Sequence, residues 1–100
     1  MESYRDAALG RIKRLVLDAL AGCDARVYLF GSSARGTPRP SSDIDIAVEP
    51  RAPLAGPVLA QLREVLEEST IPYEVELVDL SETTPEFRER VRREGILWRA

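Results

Sequence analysis

Histidine is absent from this 100-residue chain, and cysteine occurs once, at Cys23. Without an imidazole, neither a Ser-His-Asp nor a Cys-His nucleophile can be assembled, which leaves oxygen-ligand metal chemistry as the open route to an enzyme. A lone cysteine excludes an internal disulfide and a thiolate metal cage. Long hydrophobic runs are also missing. The apolar stretches last only a few residues, far short of the roughly 20 that cross a bilayer, so no membrane partner is expected. No charged-then-apolar leader opens the chain, and the expected location is cytoplasmic. A basic excess is lacking too: 14 Lys and Arg stand against 17 Asp and Glu, a net charge of −3. That balance excludes a sequence-blind nucleic-acid binder, and no direct nucleic-acid contact is expected. Internal repeats and low-complexity tracts are absent.

What remains is an ordinary globular composition, 44% hydrophobic and 31% charged, at a length that suits a single domain over residues 1–100. Leu9, Ile12, Leu15, Val16, Ala19 and Leu20 make one helical stripe between about Tyr4 and Leu20, with Gly22 as a stop beyond it. Arg26 to Phe30 is β-prone and ends at Gly31. The stretch from Gly31 to Ser42, rich in Gly, Pro and Ser, predicts a loop. Asp43 to Glu49 alternates as a strand that Pro50 stops. Val58, Leu59, Leu62, Val65 and Leu66 predict a second helix from about Pro57 to Ser69, and Tyr73 to Leu80 reads as a third strand. Thr84-Pro85-Glu86 has the form of an N-cap followed by an N1 proline, opening a third helix to about Arg93. Gly95 ends it, and Ile96-Leu97-Trp98 are expected to pack back as a tail. The implied class is α/β (α+β): a small mixed sheet with helices mainly on one face.

Side chains alternate along a strand, so Asp43, Asp45 and Ala47 share one face of the second strand while Ile44, Ile46 and Val48 share the other. In the third strand Glu74, Glu76 and Val78 oppose Val75, Leu77 and Asp79. Apolar residues would thus face the helices, with the carboxylates on an open face. Asp43 and Asp45, two apart, hold their backbones roughly 6–7 Å from one another on the same side, close enough to converge on a divalent cation. Glu76 or Glu74 from the neighbouring strand could complete an all-oxygen site suited to Mg²⁺. An antiparallel sheet with one wet face shows the same alternation, so Asp-x-Asp needs a second signal. The loop supplies it. Phe30-Gly31-Ser32-Ser33-Ala34-Arg35-Gly36 leaves a strand at a glycine, where a phosphate can approach the backbone and serine hydroxyls can donate to its oxygens. Arg35 is read as either a triphosphate contact or a surface arginine. Tyr28, Phe30 and Trp98 are read as packing residues, Cys23 as a small apolar filler, and the Arg and Glu residues between Glu86 and Glu94 as a solvated helix face with i,i+4 pairs.

Gly31-Ser32, ten residues, then Asp43-Ile44-Asp45, with Ala34-Arg35-Gly36 inside the loop, resembles the minimal nucleotidyltransferases, the small members of the DNA polymerase beta-like nucleotidyltransferase superfamily. The likeness runs from the first helix to the Gly95-Ile96-Leu97 ending. It implies the palm-like nucleotidyltransferase fold and transfer of a nucleoside monophosphate, AMP from ATP by default, to a hydroxyl with release of pyrophosphate. It further implies that Gly31, Ser32 and Arg35 bind the nucleotide, and that Asp43, Asp45 and a third carboxylate carry catalysis and hold two Mg²⁺ ions. Val75-Glu76-Leu77-Val78-Asp79-Leu80 aligns with the family's third-carboxylate strand and places Glu76 at that position. The family pattern has aspartate there; glutamate keeps the charge and adds a methylene. Asp79 lies on the opposite face.

Larger relatives carry an additional helical domain for the acceptor. The resemblance therefore implies a separate small helical partner, of HEPN or substrate-binding type, with the chain acting as the antitoxin that adenylylates its toxin. Two rivals are transfer to a small molecule such as an aminoglycoside once a partner supplies the pocket, and a non-catalytic nucleotide- or partner-binding module.

Overall fold

The computed structural model describes residues 4–31, 44–54 and 56–100. Their order is α1 (Tyr4–Ala19), β1 (Ala25–Phe30), β2 (Ile44–Pro50), α2 (Val58–Glu68), β3 (Val75–Asp79), a 3₁₀ turn (Leu80–Glu82), α3 (Pro85–Glu94) and β4 (Ile96–Arg99). The strands form one mixed sheet in the order β3-β2-β1-β4. β1 runs antiparallel to β2 and β4, while β2 and β3 are parallel and joined through α2. A parallel pair needs a crossover of this kind.

The main core lies on one face. Ile12, Val16 and Leu20 from α1 and the turn after it, with Leu62 and Leu66 from α2, pack against Val27, Leu29, Ile44, Ile46, Val48 and Leu77. Ile12, Val16, Val27, Ile44, Ile46 and Val48 are fully buried, each such side chain stabilising by about 1.5–3 kcal/mol. The helical stripe and the strand alternation foreseen in the sequence thus meet in one layer.

The opposite face departs from expectation in two ways. Rather than being open, it is partly covered by α3: Val91 packs with Tyr28, Ala47 and Leu80, flanked by Phe30, Val78 and Phe87. The segment after Gly95 is an edge strand paired with β1, Tyr28 opposite Leu97 and Leu29 opposite Ile96. Four residues, half of them exposed, are too few to show a period, which is why this strand reads as a tail in the sequence. Gly95 makes the tight connection possible. A Cβ there would fall 3.2 Å from the Leu29 carbonyl oxygen and 2.6 Å from that of Val91.

Local chemistry fixes where α3 begins. The Thr84 hydroxyl accepts from the Phe87 amide at 3.2 Å, with Pro85 in the first turn. Asp79, at the end of β3, caps the 3₁₀ turn by accepting from the Ser81 amide (2.9 Å) and hydroxyl (2.6 Å). It is committed to the turn, on the side of β3 away from Glu76. No helix among the described residues is long and apolar enough to cross a membrane.

Candidate active site

The register of the sheet lines up the site. Asp45 on β2 pairs with Glu76 on β3 and with Phe30 on β1. Residues in register point to the same face, so Glu76, Asp45 and Phe30 form one row across three strands, each about 4.8 Å from the next. Asp45 is half-buried and Glu76 is exposed. Glu74 precedes β3, where its carbonyl accepts from the Ile44 amide at 2.9 Å, and its exposed side chain lies one step off the row.

Gly31 closes the row from above. Its φ of +77° is in the left-handed region, and a Cβ added there would collide with the Asp45 carboxylate, lying 3.3 Å from Cγ and nearer still to Oδ2. Both the turn and the close approach require glycine. The strand-to-loop turn therefore passes directly over Asp45, which brings the expected phosphate-contacting backbone and the expected metal ligand together.

Asp45, Glu76 and Gly31 are thus gathered at one end of the sheet. Asp43, Ser32 and Arg35 lie outside the described residues. Among the described residues no group of three His, Cys, Asp or Glu side chains is close enough to hold a metal ion. The donors that are present fit Mg²⁺ in kind: carboxylate oxygens from adjacent strands, on one face, at the sheet's end.

Two residues further along β2, beyond Ala47, a third carboxylate has a different setting. Glu49 is 7% exposed. It accepts from the Tyr28 hydroxyl at 3.2 Å and from Arg92 of α3, through Nε at 2.7 Å and through Nη2, and it faces Arg26 at 3.6 Å. Burial pushes its carboxyl upward, but the Arg92 hydrogen bonds and charge, with help from Tyr28 and Arg26, outweigh this and hold it below its ordinary value. Burial, together with the adjacent Glu49 charge, raises the Tyr28 phenol. The cluster pins α3 onto the sheet. Parity with Asp45 would have placed Glu49 on this face, but its main partner is 43 residues away, and no local pattern links the two. Arg90 and Glu94 form the i,i+4 pair foreseen for a solvated helix face, at 3.3 Å, whereas Arg92 reaches inward to Glu49.

A mixed sheet that sets carboxylates of neighbouring strands beneath a glycine turn is the framework of a nucleotidyltransferase. Residues 25–98 match the family described as "Polymerase beta, Nucleotidyltransferase", and the chain belongs to that family. The Haemophilus influenzae (strain ATCC 51907 / DSM 11121 / KW20 / Rd) protein named "Probable protein adenylyltransferase MntA" is 36% identical over 70 residues, 70% of this chain and 61% of that protein. The chain therefore spans about six-tenths of that relative's length. A solved structure described as a minimal nucleotidyltransferase is 33% identical with a TM-score of 0.71, covering 90% of this chain and 92% of the other. A complex described as tri-AMPylated Shewanella oneidensis HEPN toxin with MNT antitoxin matches with a TM-score of 0.64 at 27% identity, over 92% of this chain and 69% of the other.

Proposed function

We propose that this chain is a single Mg²⁺-dependent adenylyltransferase domain that moves AMP from ATP to a hydroxyl of a small helical HEPN-type partner, as the antitoxin of a toxin–antitoxin pair in the cytoplasm. The observation that carries the reading is the row Glu76–Asp45–Phe30 with Gly31 folded over Asp45. Support for acceptor and partner comes from the adenylyltransferase name of the Haemophilus relative and from the AMPylated HEPN toxin bound to the Shewanella neighbour.

In this reading Asp45 and Glu76, with Asp43, hold Mg²⁺, of which two ions are expected. When bound, the metal neutralises triphosphate charge and lowers the pKa of the acceptor hydroxyl, so no histidine base is required. Gly31 lets the backbone approach the β,γ-phosphates, and Ser32 and Arg35 are the accompanying nucleotide contacts. Glu76, at the β3 end of the row, lies beside the attacking hydroxyl. Its greater length, relative to the family's aspartate, is accommodated by its exposed position, where the side chain can adjust without disturbing packing. A partner that presents the hydroxyl in line supplies orientation, which is worth up to about 7–11 kcal/mol of a barrier.

The chain is tested by incubation with Mg²⁺, ATP and a HEPN-type protein, followed by intact-mass analysis of that partner. The expected result is addition of whole AMP units, reduced about a hundred-fold or more by Glu76→Gln and unaffected by Glu74→Gln. Transfer to an aminoglycoside by the isolated chain, or an inert wild type that gains activity as Glu76→Asp, would overturn the reading.

A further inference from the structure

Beside the carboxylate row, between the end of β1 and α3, lies a cavity of about 170 Å³ lined by Phe30, Gly31, Phe87, Arg90, Val91 and Glu94. We propose that it is the seat of the nucleobase, and that Phe87 with the Arg90–Glu94 pair sets nucleotide affinity and choice. This rests on the reading of the chain as a nucleotidyltransferase.

Three features of the cavity point to a base. The rings of Phe30 and Phe87 meet at 89° with centroids 5.8 Å apart, so they offer two apolar walls at a right angle. A flat heterocycle can lie against one and abut the other, as bases do on aromatic platforms. The rim then supplies what an apolar slot lacks. Arg90 and Glu94, paired at 3.3 Å and about half exposed, place hydrogen-bond donors and an acceptor side by side. A nucleobase presents both kinds of group along its edge. The walls are also fixed: Val91 is 2% exposed, and Arg92, the next residue, is tied to buried Glu49. A cavity with an apolar body, a few polar groups and a rigid frame is the general form of a small-molecule site.

Position decides between nucleotide and acceptor. Gly31 both lines the cavity and touches the Asp45 carboxylate if given a Cβ. Phe30 is the register partner of Asp45. The cavity is therefore one strand from Asp45 and two from Glu76, the end of the row where the acceptor hydroxyl is placed. A group tethered to phosphates at Gly31 falls within its reach, whereas a hydroxyl approaching Glu76 comes from the other side.

The test is calorimetric titration of the whole chain with Mg²⁺-ATP and, separately, with Mg²⁺-tripolyphosphate, which has the phosphates and no base. Phe87→Leu is expected to weaken ATP about ten-fold, the scale of one base–aromatic stack, and to leave tripolyphosphate within a factor of about two. Retained tripolyphosphate binding shows in the same experiment that the variant is folded. Glu94→Gln, at an exposed helix position, is expected to change the order of affinity among the four nucleoside triphosphates. If Phe87→Leu and Glu94→Gln leave all nucleotides as in wild type while Asp45→Asn weakens ATP and tripolyphosphate alike, the base lies elsewhere and the enzyme reading stands. If wild type binds neither ligand, the enzyme reading fails and the base site with it.

Discussion

Asp45 and Glu49 stand on the same strand and the same face, separated by Ala47, and their described neighbours differ. Asp45 has Glu76 as its neighbour on the next strand and a glycine turn above. Glu49 is enclosed by Arg92, Arg26 and the Tyr28 hydroxyl. Both are acids carried by one well-packed strand, and what surrounds each sets its task. At Glu49 opposite charges and hydrogen bonds compensate the burial of a carboxylate, and the product is a fixed helix. At Asp45 a second carboxylate across the ladder is unfavourable for folding. Such a pairing becomes favourable when a cation is added. One end of the face is closed by cationic partners from α3 and β1, and the other sets two carboxylates side by side at the end of the sheet.

Asp45→Asn tests this contrast hardest. Removing one charge from the row should lower Mg²⁺-dependent nucleotidyl transfer by a factor on the order of 10²–10³, the scale of a lost electrostatic stabiliser. Thermal melting of the apo protein should stay level or rise, since like-charge repulsion is relieved. A melting temperature that falls sharply would mean that Asp45 belongs to the structural end of the comparison after all. Gly31→Ala comes next. The added methyl meets both a left-handed backbone, which costs roughly 1–2 kcal/mol, and the Asp45 carboxylate. Stability should fall by about that amount and phosphate affinity with it, as read by denaturant melts and tripolyphosphate titration. An alanine variant with native stability and affinity would remove the close-approach role of the turn.

The two ends of the face differ in how much of each is legible in the sequence. The Asp45 end was legible because its information is local: a glycine at the end of a strand, an alternating Asp-Ile-Asp, and a second alternating strand whose parity put Glu76 on the same face. Alternation leaves Glu74 and Glu76 equal; the likeness to the family strand singles out Glu76, and in the sheet Glu76 is the register partner of Asp45. The Glu49 end was not legible. Its contacts join β2 to β1 and to α3, whose Arg and Glu residues read in sequence as a solvated face. The apolar signal that seats it is only Phe87 and Val91, four apart, too sparse to say which face of the sheet it would cover. Phe30 reads in sequence as a packing residue and does pack, against the Val91 cluster; that it also walls a cavity depends on where α3 lies.

Glu49→Gln isolates the structural end, and its effect is modest. Glu49 titrates below its ordinary value in the folded protein, because burial, which alone would raise it, is outweighed by Arg92, Tyr28 and Arg26. A group whose folded pKa is depressed contributes stability that is complete above its unfolded pKa, and the contribution is lost as pH falls through the folded value. Glu49→Gln keeps the shape and part of the hydrogen bonding but not the charge. At neutral pH it should destabilise by about 1 kcal/mol, the difference between charge-assisted and neutral hydrogen bonds, which is a drop of about 4–8 °C in melting temperature for a chain of this size. As the pH is lowered past the unfolded carboxylate value and then through the lower folded one, wild type should lose this advantage and the two melting curves should converge. Because Arg92 is 45% exposed and Glu49 only 9% by side chain, raised salt should close the gap only in part, since buried pairs are screened less than surface ones. A gap that does not narrow as the Glu49 carboxyl becomes protonated would mean that its charge contributes nothing to stability, and its contrast with Asp45 would then not be one of charge.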